Sequence, residues 1–454
     1  MKNAIEYPPG PKDVFPYSTA WKFLRDPLNT LNTISQNYGD ISYFKFGKLN
    51  VYFLNHPNYI EDVLVANHKN FIKSRGLQIS KRLLGSGLLT SEGEYHDKQR
   101  QLIQPTFYQN RIKSYAEIMV KKTLNLCHNW KEGTELDIQK EMTHLTLEII
   151  CKAVLGYDIK PEDDQIGDSL LTCMNYFNRL LMPFGELIEK IPILPINKGF
   201  KTAKENLDNI VFKMINEHRI KLEKNENKEN DLLFTLLKSQ YDTVEGVQMS
   251  DQQLRDEVMT IFLAGYETTA NALTWTFYLL SEHPAIDARL EKEIYSVIDN
   301  KLNVSFDDIQ KLGYTTKVLT ESMRLYPPAW ALGRQAINDC KIGKYIIPSG
   351  SIILMSQYVM HRNPLYFPDP DAFFPDRWTD EFKKNLPRFS YFPFGGGIRS
   401  CVGEPFAWME TILIIAIINR LWKMNSLSSN KVILKPLATL RPKYGMRLKI
   451  TRRS

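Results

Sequence analysis

Apolar residues recur at helical spacing along most of the chain, and the clearest helical stretch begins at Ser250. Ser250 and Gln253 form a capping-box pattern, and helical spacing continues to His283, after which Pro284 ends it. A helix of about 32 residues would be roughly 48 Å long at 1.5 Å per residue. Because it is apolar on several faces, we expect this helix to run through the core. A second buried helix is predicted for residues 406–422.

Strand patterns occur near both ends of the chain. Residues 41–55 contain two β-branched and aromatic runs around a glycine-containing turn, which predicts a β-hairpin. Residues 344–356 repeat this pattern around a Pro-Ser-Gly turn and predict a second hairpin. We therefore expect a mainly α protein with small β-sheets, an α+β fold, with β-rich parts at about residues 30–60 and 340–360 and in a C-terminal hairpin. Since internal repeats and a convincing linker are absent, we predict one domain over residues 1–454.

The composition is that of an ordinary globular protein, with 43% hydrophobic and 24% charged residues. A net charge of +7 without an arginine-rich arm or basic–aromatic interleaving does not indicate a nucleic-acid partner. It is more typical of a mildly basic surface that could attract an acidic protein.

The N-terminal sequence and the cysteines bear on location. The first residues, MKNAIEYPPGPK, contain no hydrophobic export or anchor segment. The five cysteines are scattered and form no CxxC pair, which favours a reducing compartment over a disulfide framework. We expect a soluble, cytoplasmic protein without a transmembrane anchor.

One cysteine, Cys401, lies in a glycine-rich stretch just before the second predicted helix. The run from Gly395 to Gly397 permits backbone angles closed to other residues and allows close approach to a flat ligand. Gly403 lies where the helix begins, so the helix dipole would favour a thiolate over a thiol. Arg399 could pair with a carboxylate of the same ligand. The alternative is a small core cysteine, but a thiolate in such a loop can ligate heme iron.

The stretch FGGGIRSCVG resembles the heme-ligand signature of the cytochrome P450 family at five fixed positions, which are Phe394, Gly397, Arg399, Cys401 and Gly403. The resemblance extends from PPGP near the N-terminus to LRPKYGMRL near the C-terminus. It implies the cytochrome P450 fold, with heme b between the long central helix and the cysteine-loop helix. By this match Cys401 is the iron ligand, and the loop residues Phe394, Gly395 and Arg399 contact the cofactor.

The long helix contains a second motif, AGYETT, at residues 264–269. Ala264 and Gly265 leave room for a small ligand in mid-helix, and Glu267 and Thr268 place an acid and a hydroxyl in a core position. The alternative is a small-residue helix contact with an outward-facing glutamate. The motif resembles the family's oxygen-activation segment, which implies that Ala264 contacts the cofactor. It also implies that Thr268 assists oxygen activation and orients water, while Glu267 helps relay protons.

Charged residues elsewhere match further family positions. Glu321 and Arg324 in ESMRLYPP form an i, i+3 pair that, taken alone, would be a weak surface ion pair. The match adds Arg377 from FFPDRW and implies a buried structural network. For the heme propionates, the resemblance implies His96, in place of the usual tryptophan, with Arg100 and Arg334. The alternative for His96 is a surface histidine on a charged helix.

The resemblance also indicates segments that line a substrate pocket. They are predominantly apolar, which favours a lipophilic ligand held by burial of surface area. Ordinary core packing is the alternative for any one of these residues. The predicted pocket residues are Phe262, Trp330, Leu332, Ala438 and Leu440.

The resemblance implies a monooxygenase that uses O2 to hydroxylate a fatty acid or a terpenoid- or steroid-like molecule. Electrons would come from a separate ferredoxin or flavodoxin with its NAD(P)H-dependent reductase, because we expect no fused reductase. One alternative is a peroxide-driven heme peroxygenase, and another is a non-catalytic heme gas sensor or carrier. The acid–alcohol pair at Glu267 and Thr268 argues against both.

Overall fold

The structure is a computed structural model. It describes residues 6–13, 18–160, 163, 165–181, 185–224, 231–241, 249–298, 304–427 and 432–453. No helix within these ranges is both long enough and apolar enough to cross a membrane.

Helices dominate the described chain, and this confirms the prediction of a mainly α protein with small β-sheets. The α-helices are α1 (Ser18–Arg25), α2 (Pro27–Tyr38), α3 (Pro57–Glu61), α4 (Arg75–Gln78), α5 (Lys81–Leu84), α6 (Gly93–Ile103), α7 (Gln109–Asn129), α8 (Ile138–Leu155), α9 (Ile166–Leu181), α10 (Gly185–Glu189), α11 (Pro195–Glu223), α12 (Leu232–Tyr241), α13 (Asp251–Glu282), α14 (Pro284–Val297), α15 (Gly313–Leu325), α16 (Gln357–Met360), α17 (Asp380–Asn385) and α18 (Glu404–Leu421).

Within the part of the chain that the structure describes, the strands are short and form four small sheets. They are β1 (Ile41–Phe46), β2 (Leu49–Leu54), β3 (Phe71–Lys73), β4 (Glu135–Asp137), β5 (Leu332–Ala336), β6 (Cys340–Ile342), β7 (Tyr345–Ile347), β8 (Ile352–Met355), β9 (Trp422–Ser426), β10 (Leu434–Pro436), β11 (Leu440–Pro442) and β12 (Arg447–Arg452). The largest sheet has the order β1-β2-β8-β5-β3, and a three-stranded sheet has the order β4-β12-β9. The pairs β6-β7 and β10-β11 are separate hairpins, the latter at the predicted C-terminal position.

The chain forms two compact units. The first unit contains Met1–Gln78 and Thr320–Cys401, and the second contains Ile79–Leu319 and Val402–Ser454. The prediction of one domain over the whole chain stays a prediction.

The first unit is built on the five-stranded sheet. The predicted hairpin at residues 41–55 forms as β1 and β2, with Ile41 opposite Leu54 and Phe46 opposite Leu49. β2 then pairs in parallel with β8, which a hairpin connection cannot produce. The part of the predicted β-rich region before residue 41 is helical, because residues 27–38 form α2.

The second predicted hairpin, over residues 344–356, is wrong. β7 instead pairs with the preceding strand β6 in antiparallel fashion. Gly343, in the turn between them, adopts a positive φ of 57° that suits a tight turn. Beyond Pro348 the chain joins the large sheet: Gly350 donates its N–H to Ala336, and Ala336 donates its own to Ser351. Strand periodicity gives the elements but not which neighbour each one pairs with.

The second unit is organised around α13, which matches the predicted central helix. Ser250 accepts a hydrogen bond from the Gln253 amide at 3.2 Å, and the Gln253 side chain accepts one from the Ser250 amide at 2.7 Å. The helix packs against α8 and against α18, which matches the second predicted helix. Trp275, which is fully buried, donates from its indole to the carbonyl of Leu440 at 2.9 Å. This bond ties the C-terminal hairpin to the helix.

A buried acid lies in α18. Glu410 is 0% exposed, and burial raises its pKa well above the usual value, which the nearby Thr269 hydroxyl only partly offsets. The folded protein therefore keeps this proton at a pH where the unfolded chain, with an ordinary glutamate pKa of about 4.3, has released it. The contribution of protonated Glu410 to the free energy of unfolding is therefore fully present below the unfolded-state pKa, and it is lost as the pH rises towards the higher pKa of the folded state.

We therefore expect Glu410→Gln to stabilise the protein increasingly as pH rises. The two proteins should unfold at similar temperatures near pH 4. At pH 8 the free energy of unfolding of the variant should exceed that of wild type by more than about 1 kcal/mol, since a tenfold change in a proton-binding constant is worth about 1.4 kcal/mol. Thermal unfolding across this pH range measures the difference. The exposed Glu94→Gln is the control, and parallel pH profiles for wild type and Glu410→Gln would contradict the prediction.

Candidate functional site

Cys401 ends a tightly turned loop in the first unit. Its thiol is exposed, and its backbone N–H donates to the carbonyl of Phe394 at 3.0 Å. Gly395 and Gly397 both have positive φ, 73° and 70°, so the loop needs the freedom that only glycine has at low cost. A side chain on Gly397 would also collide with the carbonyl oxygen of Leu64. The glycines therefore let the loop turn closely over the neighbouring backbone and leave the sulfur accessible.

The other cysteines are poorly suited to hold a ligand. Burial raises the pKa of the Cys127 and Cys151 thiols far above the usual value, and raises the pKa of Cys173 to about 12. Burial also raises the pKa of the half-buried Cys340. Because a thiolate is the form that binds metal, Cys401 is the best candidate by exposure.

The central helix has one open face in the second unit. Ala264 is exposed and Thr268, one turn later, is half-buried, although residues 258–263 before them are buried. The Thr268 hydroxyl donates to the Ala264 carbonyl at 2.8 Å, which is the backbonding expected for a threonine inside a helix. A small side chain followed by a hydroxyl thus marks a space beside the helix.

Glu267 points towards the C-terminal hairpin. It is 6% exposed, and its Oε1 accepts from the Thr439 hydroxyl at 2.7 Å. Arg441 lies 3.9 Å from the same oxygen, and Asn271 donates to the Thr439 hydroxyl oxygen at 3.1 Å. Thr439 lies in the segment 438–440 that the resemblance places at the pocket, but no sequence signal indicated that it would bond to Glu267 or to Asn271. The outward-facing alternative for Glu267 is wrong, since the carboxylate is buried and hydrogen-bonded.

Glu321, Arg324 and Arg377 meet in the first unit. Arg324 contacts both carboxylate oxygens of Glu321 at 2.9 Å, and Arg377 Nε lies 2.9 Å from Oε1. Glu321 and Arg324 are 0% exposed, so the weak surface-pair alternative is wrong.

The network extends beyond the predicted residues. The indole of Trp378 donates to Glu321 at 2.8 Å, and the Phe374 amide donates to it at 3.0 Å. Arg324 also donates to three carbonyls, those of His361, Pro370 and Ala372. One helix residue thereby fixes the segment that leads to the cysteine loop. Trp378 lies in the FFPDRW motif, but nothing in the motif indicates that its indole donates to a glutamate.

The predicted propionate-binding residues lie in both units. His96 is buried in α6 of the second unit, which excludes the surface-histidine alternative, and its Nδ1 lies 3.2 Å from Asp97. Arg100, one turn later, donates to Gln104 at 3.1 Å. Arg334 lies in β5 of the first unit, and Arg399 is half-buried two residues before Cys401.

The predicted pocket residues differ in burial. Phe262 and Leu440 are buried in the second unit, while Ala438, at the bend of the C-terminal hairpin, is exposed. In the first unit, Leu332 packs beside the sheet cluster and lies close to Gly395 of the cysteine loop. Trp330 packs against the core cluster under β1 and β2, and its carbonyl accepts from Ser356, so its surroundings are those of a core residue.

The residues present fit a heme. The first unit offers an exposed thiol on a glycine-opened loop, with a guanidinium two residues away. The second unit offers an uncovered small residue and a hydroxyl on an otherwise buried helix. A flat iron porphyrin with carboxylate side chains needs a sulfur ligand, cationic donors and close backbone approach, and the first unit by itself supplies each of these through Cys401, Arg399 and the loop glycines.

Comparisons with known proteins agree with this arrangement. The family model for cytochrome P450 matches residues 8–450. Cyclooctatin synthase of Streptomyces melanosporofaciens is 34% identical, over 92% of this chain and 89% of its own. Cyclooctat-9-en-7-ol 5-monooxygenase of the same organism is 33% identical, over 88% and 85%. Pentalenene oxygenase of Streptomyces avermitilis is 30% identical, over 96% and 95%. The chain therefore belongs to the cytochrome P450 family of heme-binding monooxygenases.

Proposed function

We propose that this monooxygenase hydroxylates a lipophilic, terpenoid-like substrate, with O2 and with electrons from a separate redox protein. The observation that carries this proposal is the open face of α13, where Ala264 is exposed and the Thr268 hydroxyl stands one turn away. A small residue leaves space for a substrate, and a hydroxyl beside that space serves proton transfer. Neither feature is needed for helix packing alone.

Cys401 is the proposed iron ligand. Heme b bound through a cysteine thiolate supplies the oxygen chemistry, because electron donation by sulfur favours O–O cleavage. The chain holds the sulfur in place through the loop that begins at Phe392, and the Cys401 amide is fixed by its bond to Phe394. We assign His96, Arg100, Arg334 and Arg399 to the propionates, whose negative charge suits these donors.

Thr268 and Glu267 are the proposed proton-delivery pair. The Thr268 hydroxyl is bonded to a backbone carbonyl, so its oxygen lone pairs stay available to accept a hydrogen bond from water. Glu267 is buried, and its carboxylate lies 3.9 Å from the half-buried Arg441. We assign Glu267 to the supply of a proton and Thr268 to binding the water that receives it.

The names of two relatives support a hydrocarbon-like substrate over a fatty acid. They contain "-en-7-ol" and "-ene", which denote an alkenol and an alkene. A ring-containing terpenoid would be held by apolar residues such as Phe262 and Leu440.

The electron donor is proposed to be a ferredoxin or flavodoxin with an NAD(P)H-dependent reductase. Support comes from the net charge of +7, since an acidic carrier is attracted to a basic protein. Exposed lysines include Lys98 in α6 and, in the first unit, Lys383 and Lys384 in α17.

Titration with candidate substrates tests the proposed substrate class. Cyclic terpene hydrocarbons and alcohols are expected to shift the Soret band of the purified protein by displacing water from the iron, whereas fatty acids of equal carbon number should shift it much less. A shift with fatty acids alone would overturn the assignment. Product analysis with a reconstituted ferredoxin system then shows whether the compound that binds is hydroxylated.

We expect Thr268→Val to uncouple oxygen consumption from hydroxylation. The substitution keeps the shape but removes the hydroxyl, and loss of a positioned proton donor costs about 10²-fold or more in catalytic steps. Product formed per O2 consumed should fall at least about tenfold, while substrate affinity stays within about twofold, since a hydroxyl-to-methyl exchange removes no apolar area.

Thr274→Val is the matched control. Thr274 makes the same bond one turn back, to Ala270 at 2.7 Å, but it is buried in the core of the helix bundle. It should keep the wild-type coupling. Equal coupling in Thr268→Val and wild type would contradict the proton-delivery role of Thr268.

A further inference from the structure

His361 lies in the first unit between the Glu321 network and the cysteine loop. The residue is 0% exposed, and its ring Nε2 is 3.0 Å from the backbone nitrogen of Phe392. A backbone N–H can only donate, so Nε2 must be unprotonated in order to accept this bond. Burial, with the charges of Arg324 and Arg362, lowers the pKa of His361 well below its usual value. The ring is therefore a fixed neutral acceptor.

Hydrogen bonds separated by short covalent stretches of the loop connect this ring to Cys401. Arg324 donates to the backbone carbonyl of His361 at 2.9 Å. Phe392 donates to the ring, and the Phe392 carbonyl accepts from Gly395 at 3.0 Å. Cys401 closes the loop with its 3.0 Å bond to Phe394. Each bond lies within the first unit, and each joins a buried or turn-forming group.

Two aromatic rings fix the orientation of the imidazole. Tyr391 packs against it with ring centroids 4.9 Å apart, and Phe392 meets it edge-on at 5.4 Å. The Tyr391 hydroxyl donates to the Thr320 carbonyl at 3.1 Å, so that ring is held as well. The imidazole consequently cannot turn away from the Phe392 amide without disturbing the start of the loop.

We propose that His361 is a positioning residue for Cys401, because its ring holds the Phe392 amide from which the loop is built. The inference deepens the proposed function, since it rests on Cys401 as the iron ligand. Its role is to fix the position of the Cys401 sulfur, so that the thiolate stays able to bind iron. The Glu321 network supports the segment of chain around it, while His361 bonds directly to the loop's first peptide.

Three variants test the role of the acceptor atom. His361→Leu removes it, His361→Gln places a carbonyl oxygen close to the Nε2 position, and His361→Asn reaches only the Nδ1 position. The probe is carbon monoxide added to the reduced protein, which reports the fraction of heme that carries an intact thiolate through its long-wavelength Soret band. This fraction is independent of any substrate or redox partner.

In the leucine variant, part of the heme is expected to shift from the long-wavelength form to a shorter-wavelength form that lacks the thiolate. The ratio of the long- to the shorter-wavelength form should fall roughly fivefold or more, which is the effect of losing about one hydrogen bond. The glutamine variant should restore the wild-type ratio. Ser390→Ala is the control, because it removes a buried hydroxyl two residues before Phe392 and leaves the ring bond intact. A wild-type ratio in His361→Leu overturns the inference.

If the leucine variant does not fold, the glutamine and asparagine variants decide. A higher thiolate fraction in His361→Gln than in His361→Asn supports the acceptor role, and equal fractions overturn it. Absence of the long-wavelength band from the wild-type protein would instead overturn the assignment of Cys401, and with it this inference. If wild type and His361→Leu show the long-wavelength band in equal proportion, the positioning role of His361 is overturned, while the assignment of Cys401 stands.

Discussion

Replacing Cys401 with serine is expected to reduce hydroxylation to below about one-thousandth of the wild-type rate, a loss of about 4 kcal/mol or more in transition-state stabilisation. A serine hydroxyl stays protonated and cannot donate electron density as a thiolate does. The exposed position of Cys401 means that the change removes no core packing, so the fold should persist. Product formation under saturating reductase and substrate, together with far-UV circular dichroism, measures both effects.

Cys340→Ser is the matched control for this experiment. Cys340 is the half-buried cysteine of β6 in the same unit, and the same atom is exchanged. It should retain activity within about twofold, since surface and half-buried polar exchanges usually change stability only slightly. Serine at position 401 with near-normal hydroxylation would show that sulfur at this position is not the iron ligand.

Arg324→Ala is expected to destabilise the protein by about 3–5 kcal/mol, the usual effect of removing one partner of a buried ion pair. The side chain is 0% exposed and contacts Glu321 and three carbonyls, so its loss leaves several buried acceptors unsatisfied. Because total stability is only about 5–15 kcal/mol, little heme-loaded protein should accumulate. Chemical denaturation and the heme-to-protein absorbance ratio measure the two effects.

An exposed ion pair in the same unit supplies the control. Arg388 lies 2.8 Å from Glu61, but the two side chains are 65% and 38% exposed. Arg388→Ala should therefore change stability by at most about 1 kcal/mol. If Arg324→Ala matched this small effect and bound heme normally, the network could not be what fixes the segment before the cysteine loop.

Local sequence signals predicted the long-helix boundaries well. The capping box at Ser250 and Gln253 and the proline after His283 depend on neighbouring residues alone, and the structure starts and ends α13 at those signals. The hairpin at residues 41–55 is local in the same sense. By contrast, β8 pairs with β2 near the N-terminus and with β5, which precedes β6 and β7, so the pattern in residues 344–356 could not reveal its partners.

The candidate site shows the same division between local and distant information. Glu321 and Arg324 are visible in the sequence as a spaced pair. The hydrogen bond from Trp378 to the Glu321 carboxylate is not, because it depends on how distant segments pack. Thr439 meets Glu267 across 172 positions of the chain. A lone histidine such as His361 carries no pattern at all. Its role becomes visible only when the ring is seen to accept the Phe392 amide.

The spectrum of the reduced wild-type protein under carbon monoxide tests the central claim most directly, because its Soret position depends on which atom of the chain binds iron opposite the gas. Protein purified from cells supplied with a heme precursor should show the band far to the red, as sulfur ligation by Cys401 requires. A heme-loaded, folded protein that shows only the shorter-wavelength band of a nitrogen or neutral ligand would contradict the account.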